Sequence, residues 1–270
     1  SFNQDLSWDV TNVTTTDMMF FNASSFNGNI TNWKTNNLNI MSFMFLGASS
    51  FNQDLSSWNI SNVKYMTATF EDATLFNGNI SNWDTSKVIS MHGLFNNATS
   101  FNQDISSWKV DNVTNMAYMF YNASSFDQSL NNWDVSNVTN MNFMFAGSNC
   151  KIPIADWSLN SLHNIEYFII NNYMSPKQYS DFLIDLSRNT TLPDNLNLNV
   201  TGKVRIDDAS TNAAYSYLTN IKNMTFIDGA SYSDGSINYL DNSLNQDVYL
   251  LGNNNTRIIL NNYQINLLDI

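Results

Sequence analysis

The stretch SFNQDISSWKVDNVTNMAYMFYNAS, residues 100–124, recurs with substitutions through the first half of the chain. Successive tryptophans are 25 residues apart five times and then 24, and no tryptophan lies outside this series. Two phenylalanine series, beginning at Phe20 and Phe26, keep the same 25-residue period. A spacing held by three independent positions indicates an array of short stacked repeats. The tryptophans are Trp8, Trp33, Trp58, Trp83, Trp108, Trp133 and Trp157.

The interior of one repeat predicts its local structure. Ile105, Trp108 and Val110 have the spacing L-x-x-L-x-L, which is typical of a short strand whose alternate residues point inward. We therefore expect a strand over residues 107–111, and a helical or 3-10 turn over 113–120. The predicted fold class is an α/β solenoid: a leucine-rich-repeat-like, right-handed array of short parallel strands and helical or 3-10 turns, followed by a small α/β C-terminal cap.

The apolar positions of the repeat are predicted to form the core. In residues 100–124 we expect Trp108, Met116, Met119 and Phe120 to be buried. A single repeat buries too little apolar surface to fold alone, so neighbours must cover its two faces. The first repeat therefore has a bare outer edge unless further repeats, a cap or another subunit covers it.

The pattern changes after Gly147. Trp157, Leu159 and Leu162 keep the spacing in an atypical seventh repeat, and Pro153 replaces the usual turn. Ser175 and Pro176 then predict a helix start, and an apolar face at i, i+3, i+4, i+7 continues it. That face consists of Tyr179, Phe182, Leu183 and Leu186.

Alternation and turn residues predict the rest of the cap. We expect two short strands, at 196–200 and 204–206, a second helix over 210–221, and a closing strand at 224–227. The second helix should turn Ala214, Leu218 and Ile221 inward. Runs at 248–251 and 257–260 predict a hairpin, and 263–268 predicts a further strand. The predicted domains are a repeat solenoid (1–170), an α/β cap (171–229) and a β-rich tail of unassigned role (230–270).

Composition excludes several classes of partner. The chain has 270 residues, of which 13% are charged, and a net charge of −12. Eleven scattered Lys and Arg residues do not form the basic patch that nucleic acid or anionic lipid requires. No apolar run of 18 residues is present, so we expect no membrane insertion by this segment. The chain opens inside a repeat without Met, and we expect a processed or partial form of a longer protein.

Two stretches carry a resemblance to a known family. Residues 100–124 and the stretch WDVSNVTNMNFMFAGS at 133–148 closely resemble the repeat of BspA-like leucine-rich-repeat surface proteins. The order W-x-V-x-x-V-x-x-M-x-x-M-F is matched nearly whole in several repeats between residues 1 and 149. The resemblance implies a bacterial cell-surface or secreted protein, often discussed as an adhesin, with relatives in some protists and large DNA viruses. It implies no catalytic activity. Thr35 and Thr69 depart from the pattern and should weaken packing locally.

Two rows of polar residues flank the tryptophans and should face solvent. We interpret them either as a recognition surface for protein or glycan or as a solvated face whose like residues bond to one another, and sequence favours the second. One row is Ser7, Asn32, Ser57, Asn82, Ser107 and Asn132, and the other is Asp9, Lys34, Asn59, Asp84, Lys109 and Asp134. The selected candidates are Ser57, Asn59, Asn82, Asp84, Ser107, Lys109, Asn132 and Asp134.

The sequence nominates no catalytic residue, cofactor or metal site. Asp5, Asp54 and Asp104 occur in alternate repeats, which does not supply the six to eight oxygens of a Ca²⁺ site. His92 and His163 occupy non-equivalent positions and should lie in turns or at the surface. Cys150 is the only cysteine, so the chain forms no internal disulfide.

These patterns predict a non-enzymatic extracellular protein at a cell or virion surface. Its repeat scaffold would serve adhesion or recognition of a protein or glycan ligand. The alternative is a structural subunit of a filament, sheath or virion surface that contacts other copies of itself through its ends. An enzyme is the weakest interpretation, since no nucleophile and base can be paired.

Overall fold

The structure is a computed structural model that describes residues 2–233, 236–239, 258–260 and 263–265. Seven repeats lie side by side between residues 2 and 172, and we call this segment the repeat array. One residue of each repeat forms an isolated parallel β-bridge to its equivalent in the next repeat. The bridged series runs through Thr15, Ile40, Tyr65, Ser90, Asn115, Asn140 and Asn164.

Backbone amides of each repeat alternate between two kinds of partner. In the fifth repeat, every second N–H donates to the sixth repeat: Met116 to Asn140 O, Tyr118 to Asn142 O, Phe120 to Met144 O and Asn122 to Ala146 O. Of the amides between them, those of Met119 and Tyr121 donate to carbonyls three residues earlier, and that of Ala117 donates to Asn115 Oδ1. This alternation requires a left-handed backbone at Tyr118 (φ 59°) and Asn122 (φ 53°). The repeat is therefore a ladder of turns.

The local elements predicted for the repeat are wrong. Residues 107–111 do not form a strand, and 113–120 form neither an α-helix nor a 3-10 helix. Asp104 Oδ1 accepts a hydrogen bond from the amide of Ser106 (2.9 Å), which closes a turn next to the predicted strand. Asn, Asp and Ser side chains that bond the nearby backbone compete with strand pairing in this way.

The burial pattern predicted for the repeat is confirmed. Trp108, Met116, Met119 and Phe120 are all buried. Each tryptophan from the second repeat onward is buried, and its indole N–H donates to a carbonyl of the preceding repeat, as Trp108 does to Ile80 O at 3.2 Å. Trp8 is the exception, because no described residue lies on its outer side, and 54% of it is exposed. The Thr35 hydroxyl donates a hydrogen bond to Asn59 O at 3.0 Å.

The cap begins with α1 (Pro176–Arg188), β1 (Asn197–Ile206), α2 (Ala209–Asn220) and β2 (Thr225–Ser233). β1 pairs in parallel with β2, which pairs antiparallel with β3 (Ser236–Tyr239). Two further strands, β4 (Ile258–Leu260) and β5 (Tyr263–Ile265), pair with each other. The start of α1 is confirmed: Ser175 caps it in a capping box with Gln178, and Pro176 follows.

Several cap predictions need correction. Two strands were predicted, at 196–200 and 204–206, but residues 197–206 form the single strand β1, with a register shift between Val200 and Val204. Ile221 lies at the end of α2 and is 66% exposed, although Ala214 and Leu218 are buried as predicted. β2 is longer than predicted and continues across residue 229. The pairing of β4 with β5 differs from the predicted hairpin, whose first strand at 248–251 lies outside the described residues.

The cap closes the C-terminal end of the array. Asn189, at the end of α1, donates through Nδ2 to Ile154 O (2.7 Å) and Trp157 O (2.8 Å) of the seventh repeat. The Lys203 ammonium of β1 donates to Asn172 O. One hydrophobic core extends from Leu6 through the array into the cap. Across the described residues, no helix combines the length and apolarity needed to cross a membrane.

Candidate recognition face

The two polar rows beside the tryptophans are exposed, and we call them the tryptophan-flanking face. All twelve residues, including the eight selected candidates, are exposed to solvent. The cause is alternation: in the fifth repeat Trp108 and Val110 point inward, so Ser107 and Lys109 point outward. The face is therefore fixed by the packing of the tryptophans.

Local hydrogen bonds hold several side chains of the second row. Asn59, Asp84 and Asp134 each accept a bond from the amide two residues later, at 3.0, 3.1 and 3.0 Å. The bond from Ser86 lowers the pKa of Asp84, and the positive charges of Lys109 and Lys87 lower it further. The Asp84 and Asp134 carboxylates, both with a lowered pKa, are ionised at neutral pH and are held in one orientation by these hydrogen bonds.

The first row links successive repeats. Ser57 Oγ donates to Thr31 O (2.5 Å), Asn82 Nδ2 to Ser56 O (2.9 Å) and Ser107 Oγ to Ser81 O (3.0 Å). Each of these donors is therefore already occupied by a carbonyl of the preceding repeat. Ser57, Asn82 and Ser107 thus bond backbone carbonyls of the preceding repeat, and not the like residues of their own row as the second interpretation expected.

Four of the eight candidates converge at one place. Ser107 and Lys109 of the fifth repeat and Asn132 and Asp134 of the sixth line a cleft of about 480 Å³, together with Ser106, Trp108, Val110 and Asp111. The other four, Ser57, Asn59, Asn82 and Asp84, do not line this cleft. In the part of the chain that the structure describes, neither Lys109 Nζ nor the Asn132 amide makes a hydrogen bond. The cleft thus combines a free ammonium and a free amide with the Asp134 carboxylate.

The groups in this cleft can form hydrogen bonds and charge interactions. Within the described ranges, no three His, Cys, Asp or Glu side chains come close enough together to hold a metal ion. Burial raises the pKa of the Cys150 thiol to about 12, so the thiol stays protonated and is a poor nucleophile. His92 is half-buried in a turn, and burial lowers its pKa.

An outer aromatic column was not foreseen from the sequence. Tyr118 stacks on Phe143 (4.8 Å between ring centroids), and Phe143 stacks on Tyr167 (4.5 Å). All three residues have positive φ, at 59°, 56° and 59°. Ala68 and Gly93 occupy the same position in the third and fourth repeats, so the turn does not require an aromatic residue. The sequence does contain a signal for this column, because its three aromatic residues are spaced by 25 and 24 residues.

A buried polar cluster lies inside the cap. Arg205 of β1 forms an ion pair with Asp228 of β2 and lies over the ring of Tyr215, 3.9 Å from its centroid. Tyr179 and Tyr215 donate to the two Asp228 oxygens, each at 3.5 Å. Burial raises the pKa of Asp228, and the adjacent Arg205 opposes that shift. The cluster joins four cap elements and does not open onto the tryptophan-flanking face.

The model of a family described as "Mycoplasma protein of unknown function, DUF285" matches residues 1–93 and, in a second overlapping match, 75–182. Together the two matches span the repeat array and the first half of α1. No curated protein and no solved structure was found to match.

Proposed function

Since the chain belongs to the family described as Mycoplasma protein of unknown function, DUF285, we propose that it is a non-enzymatic extracellular surface protein that recognises a protein or glycan ligand. Within that family we place it with the BspA-like leucine-rich-repeat surface proteins. The proposal includes an array that winds as a right-handed solenoid and is exposed at a cell or virion surface. The repeat pattern and its sequence resemblance support these assignments.

One observation carries the recognition function. In the cleft between the fifth and sixth repeats, the donors of Lys109 and Asn132, which bond no residue that the structure describes, lie beside the oriented carboxylate of Asp134. Elsewhere on the face, Ser57 and Asn82 use their donors to join repeats. A ligand that offers carbonyl, hydroxyl or carboxylate oxygens can accept from Lys109 and Asn132 without breaking a bond of the fold.

The test is a binding measurement with a matched control. The full chain, the double variant Lys109→Ala/Asn132→Ala and the control Asn32→Ala/Lys34→Ala are immobilised and screened against glycans, matrix proteins and cell envelopes. The control removes the same residue types at the same repeat positions, outside the cleft. We expect ligands of the wild-type chain to bind the cleft variant at least about tenfold more weakly, which corresponds to about 1.4 kcal/mol, and to bind the control unchanged.

Two results would contradict the proposal. The first is no binding above that of a chain whose tryptophan-flanking face has been scrambled. The second is an equal loss in the cleft variant and the control, which would point to a general effect of surface charge. Turnover in a panel of hydrolase substrates would separately contradict the non-enzymatic assignment.

A further inference from the structure

The outer aromatic column is interrupted in the middle of the array. Its rings at Tyr118, Phe143 and Tyr167 stack with centroids 4.8 and 4.5 Å apart. One repeat before Tyr118 the same position holds Gly93, and two repeats before it holds Ala68. Both residues keep the left-handed backbone of the column, with φ of 62° and 52°. The column therefore ends at the Tyr118 ring because the fourth repeat has no side chain there, and not because the turn changes.

A carboxylate of the third repeat reaches over this glycine. Glu71 Oε2 lies 3.3 Å from the point that a Cβ of residue 93 would occupy. Glu71 Oε1 accepts from Asn96 Nδ2 at 2.9 Å, whereas no described residue donates to Oε2. Burial and the negative charge of Asp72 raise the pKa of Glu71, and none of the ion pairs among the described residues includes it. Within the described part of the chain, Glu71 is thus a half-buried carboxylate without a cation.

The surroundings of Gly93 are short of hydrogen-bond donors and of positive charge. Asn96 Oδ1 and His92 Nδ1 are buried, and neither has a hydrogen-bond partner among the described residues. The His92 ring meets the Tyr118 ring at 66°, with centroids 5.6 Å apart, so it does not continue the stack. Burial lowers the pKa of His92, which keeps the imidazole neutral at pH 7. The site therefore combines oxygen acceptors and an aromatic ring with a negative charge that nothing described neutralises.

The surface around the site carries charge of one sign. We call the residues at the positions of 117, 118, 121 and 122, taken through all seven repeats, the turn face. Its charged residues are Asp17, Glu71, Asp72 and Glu166, and no Lys or Arg belongs to it. A positively charged ligand therefore meets no like charge on the turn face, and its approach is favoured electrostatically.

Among common biological cations, guanidinium matches these groups best. It is planar, so it can stack on a ring, and it carries five N–H donors that suit carboxylate and amide oxygens. A lysine ammonium has three donors and no flat face. The cap contains the same combination within the chain: Arg205 lies 3.9 Å from the centroid of the Tyr215 ring and forms an ion pair with Asp228.

We propose that the interruption of the aromatic column at Gly93 is a binding site for an arginine side chain of a partner polypeptide. The guanidinium stacks on Tyr118, where a ring at position 93 would continue the column, and donates to the Glu71 carboxylate. A basic polypeptide segment is the source that fits, because the turn face stays free of positive charge along all seven repeats. None of these residues belongs to the tryptophan-flanking face, so this inference goes beyond the proposed recognition function and does not depend on it.

The test measures peptide binding to the full chain by NMR. The probe is a capped glycine–arginine–glycine peptide, and its neutral isostere replaces arginine by citrulline. We expect the arginine peptide to shift the amide signals of Gly93 and Tyr118 saturably. The citrulline peptide should bind at least about tenfold more weakly, because it loses the charge-assisted hydrogen bonds to Glu71.

Three variants locate the binding. Gly93→Phe places the chain's own ring in the column, as Phe143 does two repeats later, and should abolish binding; circular dichroism verifies its fold. Glu71→Gln removes the carboxylate and keeps the shape of the side chain, and it should weaken binding at least about fivefold. The matched control Asp54→Asn removes one negative charge outside the turn face and should leave binding within about twofold of wild type.

The outcomes separate the proposal from its alternatives. Loss of binding in Gly93→Phe and Glu71→Gln, with binding retained in Asp54→Asn, would support it. Equal binding of the arginine and citrulline peptides would overturn it, as would equal losses in Glu71→Gln and Asp54→Asn, because the attraction would then be general. Saturable shifts of Gly93 and Tyr118 with a neutral oligosaccharide, and none with the arginine peptide, would overturn it in favour of a glycan.

Discussion

The two ends of the repeat array each carry the tryptophan of the repeat pattern, but the two tryptophans have opposite environments. Trp8 and Trp157 occupy equivalent positions, yet Trp8 is 54% exposed and Trp157 only 2%. The carbonyl of Trp157 accepts from Asn189 of the cap, and its indole donates to Leu130 O at 3.1 Å. The cap thus supplies at one end the cover that a neighbouring repeat supplies inside the array. This difference shows that the burial of a repeat's tryptophan depends on the neighbouring elements and not on the repeat's own sequence.

The largest expected effect comes from removing the covered terminal tryptophan, Trp157. Trp157→Ala should lower the free energy of unfolding by about 3–5 kcal/mol, because it leaves a cavity under the cap. Trp8→Ala should cost about 1 kcal/mol, since half of the ring is already in water. Urea unfolding followed by circular dichroism compares the two variants. Equal losses of unfolding free energy in the two variants would contradict the difference in cover between the two ends.

The hydrogen bonds of Asn189 provide a second test of the covered end. Asn189→Ala should cost about 3 kcal/mol, because the buried carbonyls of Ile154 and Trp157 each lose a donor, at about 1–3 kcal/mol per group. Asn160→Ala is the control, since Asn160 is exposed in the same repeat and should change the free energy of unfolding by less than about 0.5 kcal/mol. If the cap docks without needing these bonds, urea unfolding should give the same free energy of unfolding for Asn189→Ala and Asn160→Ala, which would contradict the prediction.

The covered end should also depend on pH through Lys203. Burial lowers the pKa of Lys203 from 10.5 to about 8, where its ammonium donates to Asn172 O. Between those values the unfolded chain binds a proton that the folded chain does not, so stability rises with pH through this window. Relative to Lys203→Met, wild-type protein should gain about 2 kcal/mol between pH 7.5 and 9.5.

The measurement is the difference in unfolding free energy between wild type and Lys203→Met at each pH. The difference is necessary because burial also raises the pKa of Cys150 to about 12, and that shift destabilises the fold at alkaline pH. Both chains contain Cys150, so its contribution cancels. A difference that stays constant with pH would mean that Lys203 is solvated in the folded chain.

Sequence predicted the burial of the repeat well and its backbone poorly. The buried positions of Trp108 and Met116 follow from the period, because every repeat meets an equivalent neighbour. The strand at 107–111 does not form, since side chains such as Asp104 close turns, and the alternate amides bond to carbonyls 23 or 24 residues away. No local propensity encodes such a non-local ladder.

In the cap and on the tryptophan-flanking face too, the sequence predicted local features and missed those that depend on neighbouring elements. The capping box of Ser175 is a local signal, and α1 begins where it predicts. Ile221 fits the helical period of α2 but lies past its last turn, where nothing described covers it. On the tryptophan-flanking face, alternation predicted which residues are exposed, but not that Ser107 bonds Ser81 O while Lys109 Nζ bonds none of the described residues. That distinction depends on the neighbouring repeat.

The smallest expected effect separates structural from binding roles on that face. Ser57 and Ser107 each donate to the preceding repeat, whereas Ser7 has no preceding repeat among the described residues. The double variant Ser57→Ala/Ser107→Ala should lose about 1 kcal/mol, at about 0.5 kcal/mol for each solvent-exposed bond, and the sites are far enough apart to add. Ser7→Ala should leave the urea midpoint unchanged. If the double variant is as stable as wild type, the two hydroxyls are not needed between repeats, and Ser57 and Ser107 become candidates for direct ligand contact.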